Sequence, residues 1–165
     1  MELDIVDIRK PEDVNFILGQ AHFIKSVEDI YEAVVNSVPQ AKFGVAFCEA
    51  SGPCLIRLEG NDEEMISLAR ENMSRVACGH SFGIFMRDCY PINLLSAVKA
   101  VPEVANVFCA SSNPVKVVVA ESGFDGGEAG RGIMGVIDGF KPKGVEDDAD
   151  AKKRTEFLRM IGYKR

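Results

Sequence analysis

Eight short β-rich runs are punctuated by four amphipathic helical stretches, in the order β-β-α-β-β-α-β-α-β-β-β-α. That order limits the fold more than composition does. The β-rich runs are Leu3–Ile8, Phe16–Ile24, Phe43–Glu49, Cys54–Leu58, Phe82–Met86, Asn106–Ala110, Val115–Ala120 and Ile133–Asp138. Several alternate with period two, as Val115, Val117 and Val119 do against Lys116, Val118 and Ala120, the pattern of a half-buried strand. The first helix reads from the stripe Val27, Ile30, Tyr31, Val34, Val35 and Val38, with Ser26 and Asp29 as its capping signature and Pro39 as its stop. A second opens at Asn61 and carries Met65, Leu68, Ala69, Met73 and Val76. A third runs from Pro91 through Ile92, Leu95, Val98 and Val101 to Pro102. The last covers roughly Ala149 to Ile161. Hairpin-like strand pairs break strict βαβ alternation, so the expected fold is α+β, a layered sandwich with one mixed β-sheet covered by helices. No linker divides the chain, and a single domain over residues 1–165 is expected. The flexible candidates are Gly123–Gly130 and the acidic stretch Glu146–Asp150.

The formal charge of −6 disfavours a general nucleic-acid binder, which needs a basic footprint. No apolar run approaches the ~20 residues that span a bilayer. The acidic start Met1-Glu2-Leu3-Asp4 does not read as a secretory signal or organellar presequence, so a cytoplasmic chain is expected. Cys48, Cys54, Cys78, Cys89 and Cys109 contain no C-x-x-C pair, and most fall in or beside strands as small buried hydrophobes.

Chemistry at neutral pH concentrates on the two histidines, His22 and His80. An imidazole takes or releases a proton there, attacks phosphorus, or binds a metal. His80 follows Gly79 at a helix-to-strand junction; an isolated histidine also serves as a hydrogen-bonded structural residue. Gly130-Arg131-Gly132-Ile133-Met134-Gly135 matches G-x-G-x-x-G. A strand-like run follows it, so the dinucleotide fingerprint, which needs a helix there, fails. Its glycines serve either turns and strand packing or a phosphate-covering loop, and Arg131 suits a phosphate. Arg57, Asn61 and Asp62 stand at a strand-to-helix junction, either as plain helix caps or as an anion site with Asp62 as a base or metal ligand. Asn113-Pro114 reads as a turn or as a polar edge for a nucleobase or ribose, and Asn93 as an inward-facing amide at a helix start.

These segments together resemble the adenosine-specific kinase family of small archaeal and bacterial proteins. The stretches that carry the resemblance are Gly19-Gln20-Ala21-His22-Phe23-Ile24-Lys25, Phe43-Gly44-Val45-Ala46-Phe47-Cys48-Glu49-Ala50-Ser51-Gly52, Arg57 and Glu59-Gly60-Asn61-Asp62. Collinear with them are Gly79-His80, Pro91-Ile92-Asn93, Val101-Pro102-Glu103-Val104, Asn113-Pro114 and residues Gly130 to Gly139. Residues 146–165 lie outside the strong similarity. Cys78 stands where a small residue is expected, and the loop Gly123–Gly130 looks longer than usual. The resemblance implies a homo-oligomer, trimer or hexamer, that binds adenosine or AMP and transfers phosphoryl to adenosine in association with a phosphohistidine. It implies ATP and Mg²⁺ as cofactors. The residues that would act are His80 as phosphoacceptor, His22 and Asp62 in catalysis, and Arg57, Asn61, Asn93, Asn113, Arg131, Gly132 and Asp138 on the nucleotide. Asp62 or Asp138 would hold Mg²⁺. A non-catalytic adenine-nucleotide sensor and a purely structural oligomer are the competing readings.

Overall fold

The apolar stripes read for the first two helices find sheet faces. The computed structural model describes all 165 residues, Met1–Arg165. Its elements are β1 (Glu2–Asp7), β2 (Asn15–Ala21), α1 (Ser26–Ser37), β3 (Lys42–Cys48), β4 (Ile56–Gly60) and α2 (Glu63–Val76). They continue with β5 (Ser81–Arg87), α3 (Pro91–Ala100), β6 (Val104–Ser111), β7 (Val115–Gly123), β8 (Ala129–Asp138) and α4 (Asp148–Met160). The element order matches the reading of the sequence, and the class is α+β.

One mixed sheet was expected; two wholly antiparallel sheets form instead, five-stranded β4-β3-β5-β2-β6 and three-stranded β1-β7-β8. The reason lies in the crossovers. The helices α1, α2 and α3 join strands that run in the same direction, as βαβ units do. Each crossover, however, skips one position, and an antiparallel strand fills it: β5 between β2 and β3, β3 between β4 and β5, β2 between β5 and β6.

Helices α1 and α3 cover one face of the large sheet, burying Val27, Ile30, Val34, Leu94 and Val98 against Ile17, Phe43, Phe47, Phe82 and Ile84. On the other face, α2 and the small sheet lie over Phe16, Leu18 and Phe85 through Met65, Met73, Val117 and Val119. Gly44 on β3 lets α2 come down onto the strand; a Cβ there would stand 2.3 Å from the Ile66 nitrogen and the Met65 carbonyl carbon.

Local details depart from the sequence reading. Lys25, not Ser26, is the N-cap of α1; the Ser26 hydroxyl donates to the Phe23 carbonyl, in the turn that enters the helix. Asn61 lies outside α2, whose cap is Asp62, accepting from the Met65 N–H at 3.1 Å. In α3 Pro91, Leu94 and Val98 are buried, while Ile92 is exposed and Leu95 only half-buried. The suspected flexible loop shrinks to residues 124–128, because β7 runs on to Gly123 and β8 begins at Ala129. The G-x-G-x-x-G run is therefore strand, bulged where Val118 pairs Gly135 and Val119 pairs Ile133.

Candidate functional site

Strand register sorts the candidate residues into two groups. Gln20 pairs Ser81, Phe47 pairs Phe82 and Ala21 pairs Val104, so one end of the large sheet gathers the tail of β2, the tail of β3 and the heads of β5 and β6. His22 and His80 stand there. The opposite end, where Asn15 pairs Met86, Lys42 pairs Arg87 and Phe16 pairs Ser111, gathers Asn61, Asp62, Asn93, Asn113 and Asp138. A seven-residue strand, at about 3.4 Å per residue, keeps the two ends ~20 Å apart within one chain.

At the far end each polar group has local work. The Asn61 amide takes the Phe43 N–H at 2.9 Å and donates to the Ala41 carbonyl at 2.9 Å, fixing the start of β3. Asp62 caps α2. The Asn93 side chain is exposed and accepts from the Tyr90 N–H at 3.0 Å as a cap of α3, rather than pointing inward. Asp138 accepts from the Ser111 hydroxyl at 2.6 Å and the Asn113 amide at 3.1 Å, closing the β6–β7 turn onto the end of β8.

At the near end His80 is held by its backbone. It follows the left-handed Ala77 that caps α2 and itself sits at φ +61°, a conformation that non-glycine residues adopt at a cost. Its N–H donates to the Cys48 carbonyl at 2.7 Å and its carbonyl accepts from the Ala21 N–H at 2.8 Å. Residues from two strands thus fix the left-handed turn. The His80 ring lies over Phe47, centroids 6.1 Å apart and 24° from parallel, and meets the His22 ring edge-on at 6.4 Å. Phe47 is fully buried and His80 half-buried, while His22 is exposed. The His22 N–H donates to the Glu103 carbonyl at 2.7 Å.

Two ion pairs flank the rings. Arg57 sits directly across from Phe47 in register, so the two side chains share a face. Its Nη2 contacts both Glu49 carboxylate oxygens, at 3.0 and 3.2 Å, while its Nε is buried with no partner. The Leu55 N–H and then Arg57 hold the Glu49 carboxyl below the ordinary range. On the other flank Lys25 pairs with Asp29 and, at 3.1 Å, with Glu103. Hydrogen bonds to those carboxylates raise its pKa and keep it an ammonium. Phe47, Glu49, Lys25 and Glu103 lie in the stretches that carry the resemblance but drew no role of their own; strand pairing sets Phe47, Glu49 and Glu103 beside the histidines. Neighbouring thiols are poor nucleophiles, since burial pushes Cys78 up to about 11 and Cys48 upward as well.

Arg131, expected on a phosphate, is committed elsewhere. Its Nη1 donates to the Arg75 and Val76 carbonyls at 2.9 and 3.2 Å, its Nη2 meets Asp4 at 2.8 Å, and its Nε lies 3.1 Å from Glu121. It ties the small sheet to the C-terminus of α2, where a cation is favoured. Gly132 beside it lines the open cleft at that end of the sheet.

No three His, Cys, Asp or Glu side chains converge as a metal site. Asp62 and Asp138 lie a strand length from His80, and Glu49 and Glu103 beside it are already paired with cations. These residues do not fit a built magnesium seat serving His80. No helix is long and apolar enough to cross a membrane.

A family model described as adenosine specific kinase matches residues 6–164 of the chain, a span that takes in α4 as well as the motif-bearing segments. The crystal structure of PH1918 protein from Pyrococcus horikoshii OT3 is similar at a TM-score of 0.91 and 42% identity, covering 99% of this chain and 98% of that one. No protein of curated function matches.

Proposed function

The chain belongs to the adenosine specific kinase family, and on that premise we propose that it moves a phosphoryl group from ATP to adenosine by way of a phosphohistidine at His80. The family description supports a nucleoside-kinase-like function. The observation that carries the finer reading is the pinned His80 ring, stacked on Phe47 and flanked by His22, Arg57 and Lys25.

In the first step an imidazole nitrogen of His80 attacks the γ-phosphorus of ATP. The P–N bond forms, the bond to the bridging oxygen breaks, ADP departs, and the imidazole proton goes to solvent. In the second step an adenosine hydroxyl attacks the phosphorus, the P–N bond breaks, and the released imidazole nitrogen takes the hydroxyl proton. Such chemistry asks for positioning and neutralisation of charge. Positioning comes from the fixed turn and the Phe47 face. Neutralisation comes from the unpartnered Nε–H of Arg57, which sits across from Phe47 beside the histidine turn. Magnesium would enter with the phosphates of ATP, as it commonly does; no residue of this chain is assigned to it.

Intact-mass measurement after incubation with ATP and Mg²⁺ tests the reading. We expect a stoichiometric adduct of one phosphoryl group, about 80 Da, that disappears on adding adenosine as AMP accumulates over many turnovers. Saturable adenosine binding with no adduct and no AMP would instead make the chain a sensor.

A homo-oligomer belongs to the same proposal. Leu3, Ile5, Met134 and Ile137 are 68%, 55%, 66% and 48% exposed on the small sheet, an apolar surface of the kind that self-association covers. Light scattering should report a multiple of 18.0 kDa; a monomer at micromolar concentration would refute it.

A further inference from the structure

Helix α4 is held by little of its own chain. None of its 13 residues is buried, and no strand or helix of the chain packs along it. Its last turn leans toward the head of α3 and the end of β6, where Phe157, Ile161 and Tyr163 face Tyr90, Pro91 and Ile92 across a cavity of about 540 Å³. The helix stands on local devices, a capping box between Asp147 and Asp150 and the pairs Lys152–Glu156 and Lys153–Asp150. Such devices are weak, and isolated helices shorter than ~12–15 residues are marginal in water. A helix of this length needs a surface to lie on.

The small sheet has a surface without a helix. Its inner side packs on the large sheet through Val117 and Val119. On its outer side Leu3, Ile5, Met134 and Ile137 are exposed, and no helix packs along β1, β7 or β8.

Charge is divided in the same way. Residues 151–165 hold six lysines and arginines against one acid, Glu156, a balance of +5; with −6 in total, residues 1–150 stand at −11. Lys152, Lys153 and Arg154 are matched by Glu156, Asp150 and Glu146, which leaves Arg159, Lys164 and Arg165 in no ion pair. At the hairpin end of the small sheet the excess is acidic. Glu2, Asp4, Glu121, Asp125 and Glu128 stand there against Arg131 and the Met1 α-ammonium, and Glu2 faces Glu121 directly in register. Three unmatched cations on the helix thus answer a surplus of three acids on the sheet. A nucleic acid is opposed by the acidic body, and an anionic membrane surface by the acids of the first turn.

We propose that α4 is an arm that lies across the outer face of the small sheet of a second copy of this chain, setting Phe157, Met160 and Ile161 on the neighbour's apolar strands. Residues 139–147 tether it to β8 and reach up to ~30 Å when extended. Its own small sheet is the poorer seat, because α4 leans to the α3 side of the large sheet and the small sheet lies over the other face. The proposal rests on the homo-oligomer reading and names the element that covers the sheet; it does not depend on the phosphoryl chemistry.

Mixing two variant chains tests it, each with the exposed thiol of Cys54 removed as Cys54→Ser. One carries Met134→Cys and the other Met160→Cys; the two methionines are 66% and 76% exposed, so neither change strikes the core. Under mild oxidation the mixture should give a disulfide-linked species at twice 18.0 kDa that joins the two different chains. Its yield should be at least about tenfold above a mixture in which Glu32→Cys on α1 replaces Met160→Cys. Met160→Glu should keep the wild-type far-ultraviolet spectrum and dissociate at least about tenfold more readily in light scattering. If no mixed species forms and Met160→Glu associates as wild type does, α4 is not the arm. A chain carrying both cysteines that closes on itself and stays at 18.0 kDa puts α4 on its own sheet and overturns the proposal. A monomeric wild type overturns it together with the homo-oligomer, and leaves the kinase reading to the phosphoryl adduct.

Discussion

Replacing His80 abolishes the acid-labile, base-stable phosphoryl label that ATP leaves on the wild-type chain. The expectation follows from which ring is held. His80 is fixed through its N–H and carbonyl by two strands and through its ring by Phe47, whereas His22 is exposed and shares only an edge contact. A nucleophile held in one orientation loses little freedom on the way to the transition state. Asparagine is the most informative replacement, because it tolerates the left-handed backbone at φ +61° and is no nucleophile. His80→Asn should keep its melting temperature and lose the label entirely; His80→Ala and His80→Gln should lose it too. His22→Ala should keep the label and weaken binding at most. Phe47→Leu should slow labelling while Phe47→Tyr restores the rate, since only an aromatic face supports the ring. A label that survives in His80→Ala and vanishes in His22→Ala moves the phosphoacceptor to His22. A label indifferent to both removes the histidine mechanism.

The elements were legible because each is written in contiguous apolar spacing: Val27, Ile30 and Val34 name a helix face, and Val115, Val117 and Val119 a strand face. Which strands become neighbours was not legible. Placing β5 between β2 and β3 depends on pairings such as Gln20 with Ser81 and Phe47 with Phe82, and local spacing carries no trace of them. The same gap governed the site. His22 and His80 announce themselves as the chain's only imidazoles, but that their rings meet is a product of the β2–β5 pairing. Arg57 was visible as a cation at a junction; its partnership with Glu49 and its place beside Phe47 needed the β3–β4 register. Asn61, Asp62 and Asn93 drew a functional reading because capping and ligand binding use the same side chains, and their contacts in the structure are caps and backbone ties. Arg131 carried a phosphate reading for a related reason: a guanidinium suits a phosphate as well as the helix C-terminus it meets here. Leu94 and Leu95 adjoin, so the buried face of α3 could not be fixed by spacing to better than one position.

Gly44→Val should destabilise the fold by about 3 kcal/mol or more, the upper range of overpacking, because here the obstacle is backbone. An added Cβ at Gly44 stands 2.3 Å from the Met65 carbonyl carbon and 2.4 Å from its oxygen. Neither atom can rotate away as a side chain would, so α2 must lift off β3 as a body. Lifting it uncovers Met65, Ala69 and Met73, all fully buried, and pulls on Ala77 and His80 at its far end. The loss should therefore appear twice, as a lower urea midpoint and as slower phosphoryl labelling by the fraction that stays folded. Gly135→Ala is the control: a Cβ there meets nothing within 4 Å, and such a surface change should stay within roughly 0.5 kcal/mol. If Gly44→Val unfolds at the wild-type midpoint, α2 does not rest on β3 at the distance described. If it loses stability but labels at the wild-type rate, the path from α2 to the His80 turn is not what holds the ring.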